Sequence, residues 1–313
     1  VVATTGKADT ISLGVGGTAS VVVLGGEGGD GISTGNGAGV IVGDHGLGKW
    51  RSGVLQSLAS ASDTTGGNDT LLLGGGDKVV IGGMGADTIV NGTSTGGSVL
   101  AGNAVVIGDA GSVGFNSLGV LATVTSASVD SAGGADTIRL ASRSAVVVGG
   151  IGSDSISVNT AGLGLGASVV HVSGDGAAFG YDSLGRLTSA KTMANAKGAK
   201  DTIDLTVDAS SSVLALGGEG TGASQDVIST TANNRYIVND SATTTWSSGR
   251  MTSKPTTGQI SNGSQSASGL AAIDTKSASR LGSGDFFLAG MAGWGMSRPG
   301  EKAKREARLV ERR

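Results

Sequence analysis

The stretch that decides the fold is Val-Val-Ile-Gly-Gly-Met-Gly-Ala-Asp-Thr-Ile at residues 79–89. A short β-branched run leads into a turn with three glycines and an aspartate, and a second apolar segment follows. Similar stretches lie at residues 21–32 and 146–156 and, with an insertion, at 214–228. Short β-branched runs bounded by Gly- and Asp-containing turns are typical of strands. The pattern predicts an all-β protein.

Two further elements recur with this stretch. Each copy begins at an aspartate followed by a short strand, and a later apolar run leads into another aspartate. The first set is Asp9, Asp69, Asp136 and Asp201, and the second is Asp44, Asp109, Asp175 and Asp240. The copies occupy about residues 1–60, 61–127, 128–192 and 193–251. Short strands that repeat at a long period predict a parallel β-solenoid with four long repeats, in which each coil pairs with the next.

Two segments predict a hairpin or a widened coil. Residues 114–121 and 180–187 share a Ser-Leu-Gly turn between apolar positions. Glycine at that place favours a turn residue with positive φ.

The C-terminal part follows a different pattern. Residues 252–296 are rich in Ser, Gly and Thr and predict a linker or capping segment, with Asp285–Leu288 as a last strand or cap. Residues 297–313 are basic and predict a short helix or a disordered tail.

The amino-acid composition limits the classes of fold and function that this chain can have. The 313 residues include 59 Gly, 2 Pro and no Cys, and only 3% are aromatic, which does not suit a rounded globular core. Aspartates outnumber glutamates by 20 to 5, and the short Asp side chain suits metal sites carried by turns. Residues 298–313 carry a net charge of +4 and the rest −7, so the acidic body argues against nucleic acid as a partner. No apolar run is long enough to form a transmembrane segment.

Three stretches fit the nonapeptide Gly-Gly-x-Gly-x-Asp-x-U-x, in which U is a large apolar residue, namely residues 25–33, 82–90 and 149–157. With these motifs the chain resembles the RTX, or hemolysin-type calcium-binding repeat, family. The resemblance implies a right-handed parallel β-roll, Ca²⁺ ligands from successive coils, and an extracellular or cell-surface location after bacterial, type I-like secretion. The candidate ligand residues are Asp30, Asp69, Asp87, Asp136, Asp154, Gly83, Gly85, Gly150 and Gly152.

Spacing supports two of these pairs. Asp69 and Asp87 are 18 residues apart, as are Asp136 and Asp154, and this distance equals two nonapeptides. The chain departs from the family because its nonapeptides occur singly, between longer segments. Lys78 and Lys200 stand beside turn aspartates, where their ammonium groups could replace calcium. We therefore expect few bound ions, about two to four.

An enzyme is not expected. The two histidines, His45 and His171, lie in nonequivalent surroundings, and without cysteine they do not form a zinc motif. Paired aspartates could indicate a glycosidase, but these lie in repeated turns.

The first functional hypothesis is an extracellular calcium-binding structural protein: a surface-layer, filament or adhesin component. It would self-associate as a homo-oligomer or filament, with cell-surface or glycan contacts as further partners. The alternative is a calcium-dependent carrier or secretion domain of a larger secreted enzyme or toxin, cut off upstream of Val1, which a full-length mass would distinguish. A third hypothesis is an ice- or glycan-binding solenoid with a flat Thr face. It is disfavoured because the threonines are not expected to form a regular ladder.

Overall fold

The computed structural model describes residues 6–14, 20–61, 66–91, 101–127, 133–161, 163, 166–193, 198–218, 226–238, 243–247, 250–253, 260–262 and 288–289. These ranges form strands and turns and contain no helix, so the all-β prediction is confirmed. It follows that they hold no helix able to cross a membrane. The predicted helical or disordered tail at residues 297–313 lies outside the described residues, and the repeat boundaries stay predictions.

The strands form three sheets. Sheet A contains the eight parallel strands β1 (Thr10–Leu13), β3 (Gly31–Thr34), β7 (Thr70–Leu73), β9 (Thr88–Asn91), β13 (Thr137–Ala141), β15 (Ser155–Asn159), β19 (Thr202–Thr206) and β21 (Val227–Thr230). Sheet B contains β2 (Val21–Leu24), β4 (Gly39–Val42), β8 (Gly76–Ile81), β10 (Ala101–Ile107), β14 (Ala145–Gly150), β16 (Val169–Asp175), β20 (Ser212–Leu216), β22 (Asn234–Val238), β25 (Ile260–Asn262) and β26 (Leu288–Ala289). Sheet C is antiparallel and contains β5 (Gly46–Arg51), β6 (Val54–Ser60), β11 (Gly111–Phe115), β12 (Leu121–Ser126), β17 (Ala177–Tyr181), β18 (Leu187–Thr192), β23 (Thr243–Ser247) and β24 (Arg250–Ser253).

The chain visits these sheets in a fixed order. Every sheet-A strand is followed by a sheet-B strand, and we call this pair a rung. After every second rung the chain makes a hairpin in sheet C. Strands of successive rungs pair in parallel, as when Ile138 of β13 pairs with Ile89 on one side and Ile156 on the other.

Sheet B is the middle layer, which explains its continuous apolar runs. Alternate side chains of a strand point to opposite faces. In β8, Val80 packs in the core shared with sheet A, whereas Val79 and Ile81 pack in the core shared with sheet C. A strand buried on both faces has no polar face, so its sequence does not alternate.

The two predicted hairpins are confirmed as β11–β12 and β17–β18. Their turn glycines, Gly119 and Gly185, both have a φ of 76°. Hairpins β5–β6 and β23–β24 occupy the equivalent places in the first and fourth copies, where sequence reasoning did not predict them.

Two short strands cover the edges of sheet B. Strand β25 pairs antiparallel with β22 at one edge, and β26 pairs in parallel with β2 at the other. A strand near Asp285–Leu288 was predicted, and β26 includes Leu288; Asp285 itself lies outside the described residues.

Five threonines share one register row of sheet A, but Gly31, Ser155 and Val227 interrupt it, so the row is not a regular threonine ladder. The first positions of the sheet-A strands lie in one register row on the outer face: Thr10, Gly31, Thr70, Thr88, Thr137, Ser155, Thr202 and Val227. The row was hidden because the hairpins of sheet C make the spacing between successive rungs unequal along the sequence.

Candidate metal site

An aspartate precedes the first residue of every sheet-A strand. We call this set the aspartate row: Asp9, Asp30, Asp69, Asp87, Asp136, Asp154, Asp201 and Asp226. From Asp30 onward these residues are almost fully buried. The row contains all five aspartates that were predicted as calcium ligands, and the strand pairing of sheet A brings them together.

One carboxylate oxygen of each residue holds the row together. The backbone N–H of each aspartate from Asp9 to Asp201 donates to Oδ1 of the aspartate in the next rung, and these seven bonds, the last to Asp226, measure 2.6–2.9 Å. The predicted pairs at a spacing of 18 residues are neighbours in this way, with N–O distances of 2.8 Å for both Asp69–Asp87 and Asp136–Asp154.

The second oxygen is buried without a donor. Oδ2 has no hydrogen-bond partner among the described residues in Asp30, Asp69, Asp87, Asp136, Asp154 and Asp201. A glycine lies against each of these oxygens, and a Cβ on it would overlap both Oδ2 and the carbonyl oxygen of a glycine in the next rung. The glycines are, in the same order, Gly25, Gly43, Gly82, Gly108, Gly149 and Gly174. Each Oδ2 therefore shares a small space with a backbone carbonyl oxygen.

The other nonapeptide glycines are explained by backbone conformation. Gly83, Gly85, Gly150 and Gly152 have φ values of 125°, 105°, 130° and 116°. This region is open to glycine and strained for other residues. The four glycines thus shape the turns that carry Asp87 and Asp154.

A second group of aspartates, Asp44, Asp109 and Asp175, stands where sheet-B strands lead into the hairpins. Asp44 accepts the N–H of Gly67 at 3.2 Å and that of Met84 at 2.5 Å. Asp109 accepts the N–H groups of Gly134 and Ile151 in the same way. Asp44 and Asp109 thus tie the first two hairpins to the nonapeptide turns of the next rungs. Their equivalent Asp240 lies outside the described residues.

Burial makes ionisation of the row unfavourable. It raises the pKa of Asp69 to about 7 and that of Asp87 to about 9. For Asp136, burial and the nearby carboxylates of Asp109, Asp154 and Asp87 raise the pKa to about 10. The pKa of Asp201 rises to about 9, chiefly through burial. A buried carboxylate that keeps its charge needs a partner of opposite sign.

The donor set matches calcium in kind, because calcium prefers carboxylate and carbonyl oxygens. Within the described ranges, no three Asp, Glu, His or Cys side chains are grouped so that they could hold a metal ion. An ion in the row would therefore depend on the glycine carbonyl oxygens beside each Oδ2 for much of its coordination shell.

The two lysines that could replace calcium lie in different places. Lys78 is fully buried, and its Nζ donates to the carbonyl oxygens of Gly37, Gly75 and Gly76. It lies near the start of β8, next to the turn from sheet A to sheet B, whereas the aspartate row precedes the sheet-A strands and so lies at their other end. Lys200 is exposed beside Asp201.

His171 has a packing role. It is buried between sheets B and C, its Nδ1 is 3.1 Å from the Tyr181 hydroxyl, and its ring stacks near Phe179. Burial lowers the pKa of His171 to about 3, so the ring is neutral in the folded protein.

Sequence reasoning placed Asp9, Asp201 and Asp226 at equivalent repeat positions but did not include them among the candidate ligands. Their shared place before a strand was the available signal. No protein family, no curated protein and no solved structure gives a match to this chain.

Proposed function

We propose that the chain is an extracellular calcium-binding structural protein, a surface-layer, filament or adhesin component that self-associates. Its fold in this proposal is a right-handed parallel β-solenoid of the RTX type, with four repeats of two coils. The parallel pairing of the sheet-A strands, and of β2 to β22 in sheet B, with their equivalents in the next rung supports this proposal.

One observation carries the proposal. In six buried aspartates, Oδ2 accepts no hydrogen bond and lies near the carbonyl oxygen of a glycine. Calcium bound there would neutralise the carboxylates and supply the missing partner. Because the site requires paired rungs, metal binding would be coupled to folding.

The repetition of the site favours a structural role over catalysis. Successive rungs present the same groups in the same arrangement, whereas acid–base catalysis needs two groups with different environments. Repeated cation sites along the axis instead stiffen an elongated body, as a stalk or lattice requires.

Calcium titration calorimetry on four variants tests the site. We expect Asp87→Asn and Asp154→Asn to remove most of the binding heat associated with their turns. The controls are Asp182→Asn in an exposed hairpin turn and Asp204→Asn, which is exposed on sheet A and bonds Ser229. Equal losses in all four variants, or no calcium heat in the unmodified chain, would reject calcium binding by the row.

Light scattering across a concentration series, with calcium and with EDTA, tests self-association separately. We expect larger species in calcium, because ordered terminal rungs offer better edges for contact. A monomer at every concentration would contradict the structural role.

A further inference from the structure

The donor-free Oδ2 atoms of the aspartate row form part of a longer line of oxygen atoms. A Cβ built on Gly43 would lie 1.9 Å from Oδ2 of Asp69 and 2.3 Å from the carbonyl oxygen of Gly82. A Cβ built on Gly82 would lie 2.4 Å from Oδ2 of Asp87 and 2.0 Å from the carbonyl oxygen of Gly108. Each of these rungs thus offers one carboxylate and one carbonyl oxygen side by side, and we call these two atoms an oxygen pair.

Six consecutive rungs, from that of Asp30 to that of Asp201, have a complete oxygen pair. At one end of the row, Asp9 is exposed to solvent. At the other end, in the rung of Asp226, strand β22 leads into Asn239, which lies outside the described residues. Each of the six pairs faces a glycine of the preceding rung, so no side chain fills the space between neighbouring pairs.

The spacing between oxygen pairs is set by the strand pairing of sheet A. The row aspartates precede strands that pair in register, as β7 does with β9, so their equivalent atoms are about 4.8 Å apart. A point midway between two neighbouring Oδ2 atoms is therefore about 2.4 Å from each. Calcium binds oxygen at about 2.3–2.6 Å, and magnesium at about 2.0–2.1 Å. The gap between two rungs therefore has the dimension that calcium requires.

The charge of one rung is too small for a calcium ion. Oδ1 accepts a backbone N–H, so each rung offers a single carboxylate through Oδ2. An ion held by one rung would leave a buried net positive charge, whereas an ion between two rungs would be neutralised by two carboxylates. Ions in adjacent gaps would have to share a carboxylate, and at about 4.8 Å they would repel about four times as strongly as two single charges. Adjacent gaps therefore exclude each other.

We propose that each calcium ion lies between two rungs and binds both of their oxygen pairs, so that the six rungs hold three ions in alternate gaps. This inference rests on the calcium binding in the proposed function and specifies which carboxylates share an ion. Only one arrangement uses all six carboxylates, and its shared pairs are Asp30–Asp69, Asp87–Asp136 and Asp154–Asp201. The members of these pairs are 39, 49 and 47 residues apart, because a hairpin of sheet C stands between them in the sequence. Each ion thus joins one two-rung copy to the next, and the gaps at a spacing of 18 residues stay empty.

Counting the bound ions in two double variants tests this arrangement. Asp87→Asn/Asp136→Asn removes both members of one shared pair, and we expect two ions to remain. Asp136→Asn/Asp154→Asn removes one member from each of two shared pairs, and we expect one ion to remain. Equilibrium dialysis with radioactive calcium counts the ions. The unmodified chain and the control Asp204→Asn, which changes an exposed carboxylate, should each bind three.

The outcomes separate this arrangement from the proposed function. Circular dichroism in EDTA first verifies that both double variants keep the β structure of the unmodified chain. Equal numbers of ions in the two double variants, or fewer in Asp87→Asn/Asp136→Asn, would overturn the alternate arrangement and leave calcium binding intact. No calcium on the unmodified chain would reject the proposed function as well.

Magnesium competition on the unmodified chain is a second test that needs no variant. An excess of magnesium should leave the three calcium ions bound, because the strand spacing holds the oxygen atoms too far apart for the shorter magnesium–oxygen distance. Displacement of calcium by magnesium would overturn the shared gap, as would a count other than three on the unmodified chain.

Discussion

At the scale of single residues, the two carboxylate oxygens of each row aspartate have different roles. Oδ1 accepts the N–H of the preceding rung in all seven junctions, so it fixes the strand register. Oδ2 makes no such bond in six of the residues. The first oxygen is part of the fold, and the second is available for a cation or a proton.

The variant Asp87→Asn tests these two roles separately, because it keeps an oxygen at the Oδ1 position and replaces Oδ2 with an amide nitrogen. The amide oxygen can still accept the N–H of Asp69, and the amide N–H₂ can donate to the carbonyl oxygen of Gly108. In EDTA at neutral pH we expect the variant to be more stable than the parent by about 1–3 kcal/mol, because the amide is neutral, whereas the buried Asp87 carboxyl, whose pKa is raised to about 9, must first take up a proton. Urea unfolding measures this difference.

Calcium should raise the free energy of unfolding of Asp87→Asn by less than it raises that of the parent. Asp204→Asn, on the exposed face of sheet A, is the control and should change stability by no more than about 0.5 kcal/mol. A variant less stable than the parent in EDTA would show that Oδ2 has a partner in the metal-free protein.

At the scale of elements, the sequence predicted the strands better than their arrangement. The runs at residues 79–81 and 146–148 predicted buried strands, and they form the middle sheet. The four hairpins differ in turn sequence: Ser-Leu-Gly occurs in two of them, whereas Ser52-Gly53 closes β5–β6. A third sheet could not be deduced because it depends on hairpins from distant repeats lying side by side.

The same holds for the candidate site: its residues could be predicted from the sequence, but their contacts could not. Periodicity identified Asp69, Asp87, Asp136 and Asp154, and the glycine motif identified the turns. The sequence did not reveal that Oδ1 is used by the backbone, or that Asp44 and Asp109 bind the nonapeptide turns. Both depend on contacts between rungs, which vary in sequence separation from 18 to 49 residues along the row.

Packing of sheet C on sheet B gives an element-scale prediction. Phe179 of β17 is 1% exposed and belongs to the core between these sheets. We expect Phe179→Ala to reduce the free energy of unfolding by about 3–5 kcal/mol. Leu184→Ala at the tip of the same hairpin, where Leu184 is 59% exposed, should have little effect. Equal effects in urea unfolding would show that sheet C does not pack on sheet B.

At the scale of the whole molecule, the row makes stability depend on pH and calcium together. Without metal, burial raises the pKa values of the row aspartates in the folded protein, to about 7 for Asp69 and about 10 for Asp136, so these carboxyls hold their protons to a higher pH than in the unfolded chain. The unfolded chain ionises them near pH 4. Above that pH the folded state binds more protons than the unfolded state, so its stability falls as pH rises.

His171 acts in the opposite direction. Its pKa is about 3 when folded, against about 6.5 when unfolded, so it lowers stability as pH falls below about 6.5. Between about pH 4 and 6.5, each strongly shifted group contributes up to about 1.4 kcal/mol per pH unit. Eight aspartates with raised pKa values, six in the row together with Asp44 and Asp109, oppose one histidine, so the aspartates set the sign.

We therefore expect the Tm in EDTA to be highest near pH 4 and to fall through neutral pH. Calcium binds the ionised carboxylates and releases their protons, so saturating calcium should flatten or reverse this slope. Thermal unfolding followed by circular dichroism from pH 4 to 9 measures both curves. The double variant Asp87→Asn/Asp136→Asn removes two of the titrating groups and should show a shallower slope in EDTA. A Tm in EDTA that rises steadily from pH 4 to 8 would mean that the row is ionised in the folded protein and stabilised without calcium.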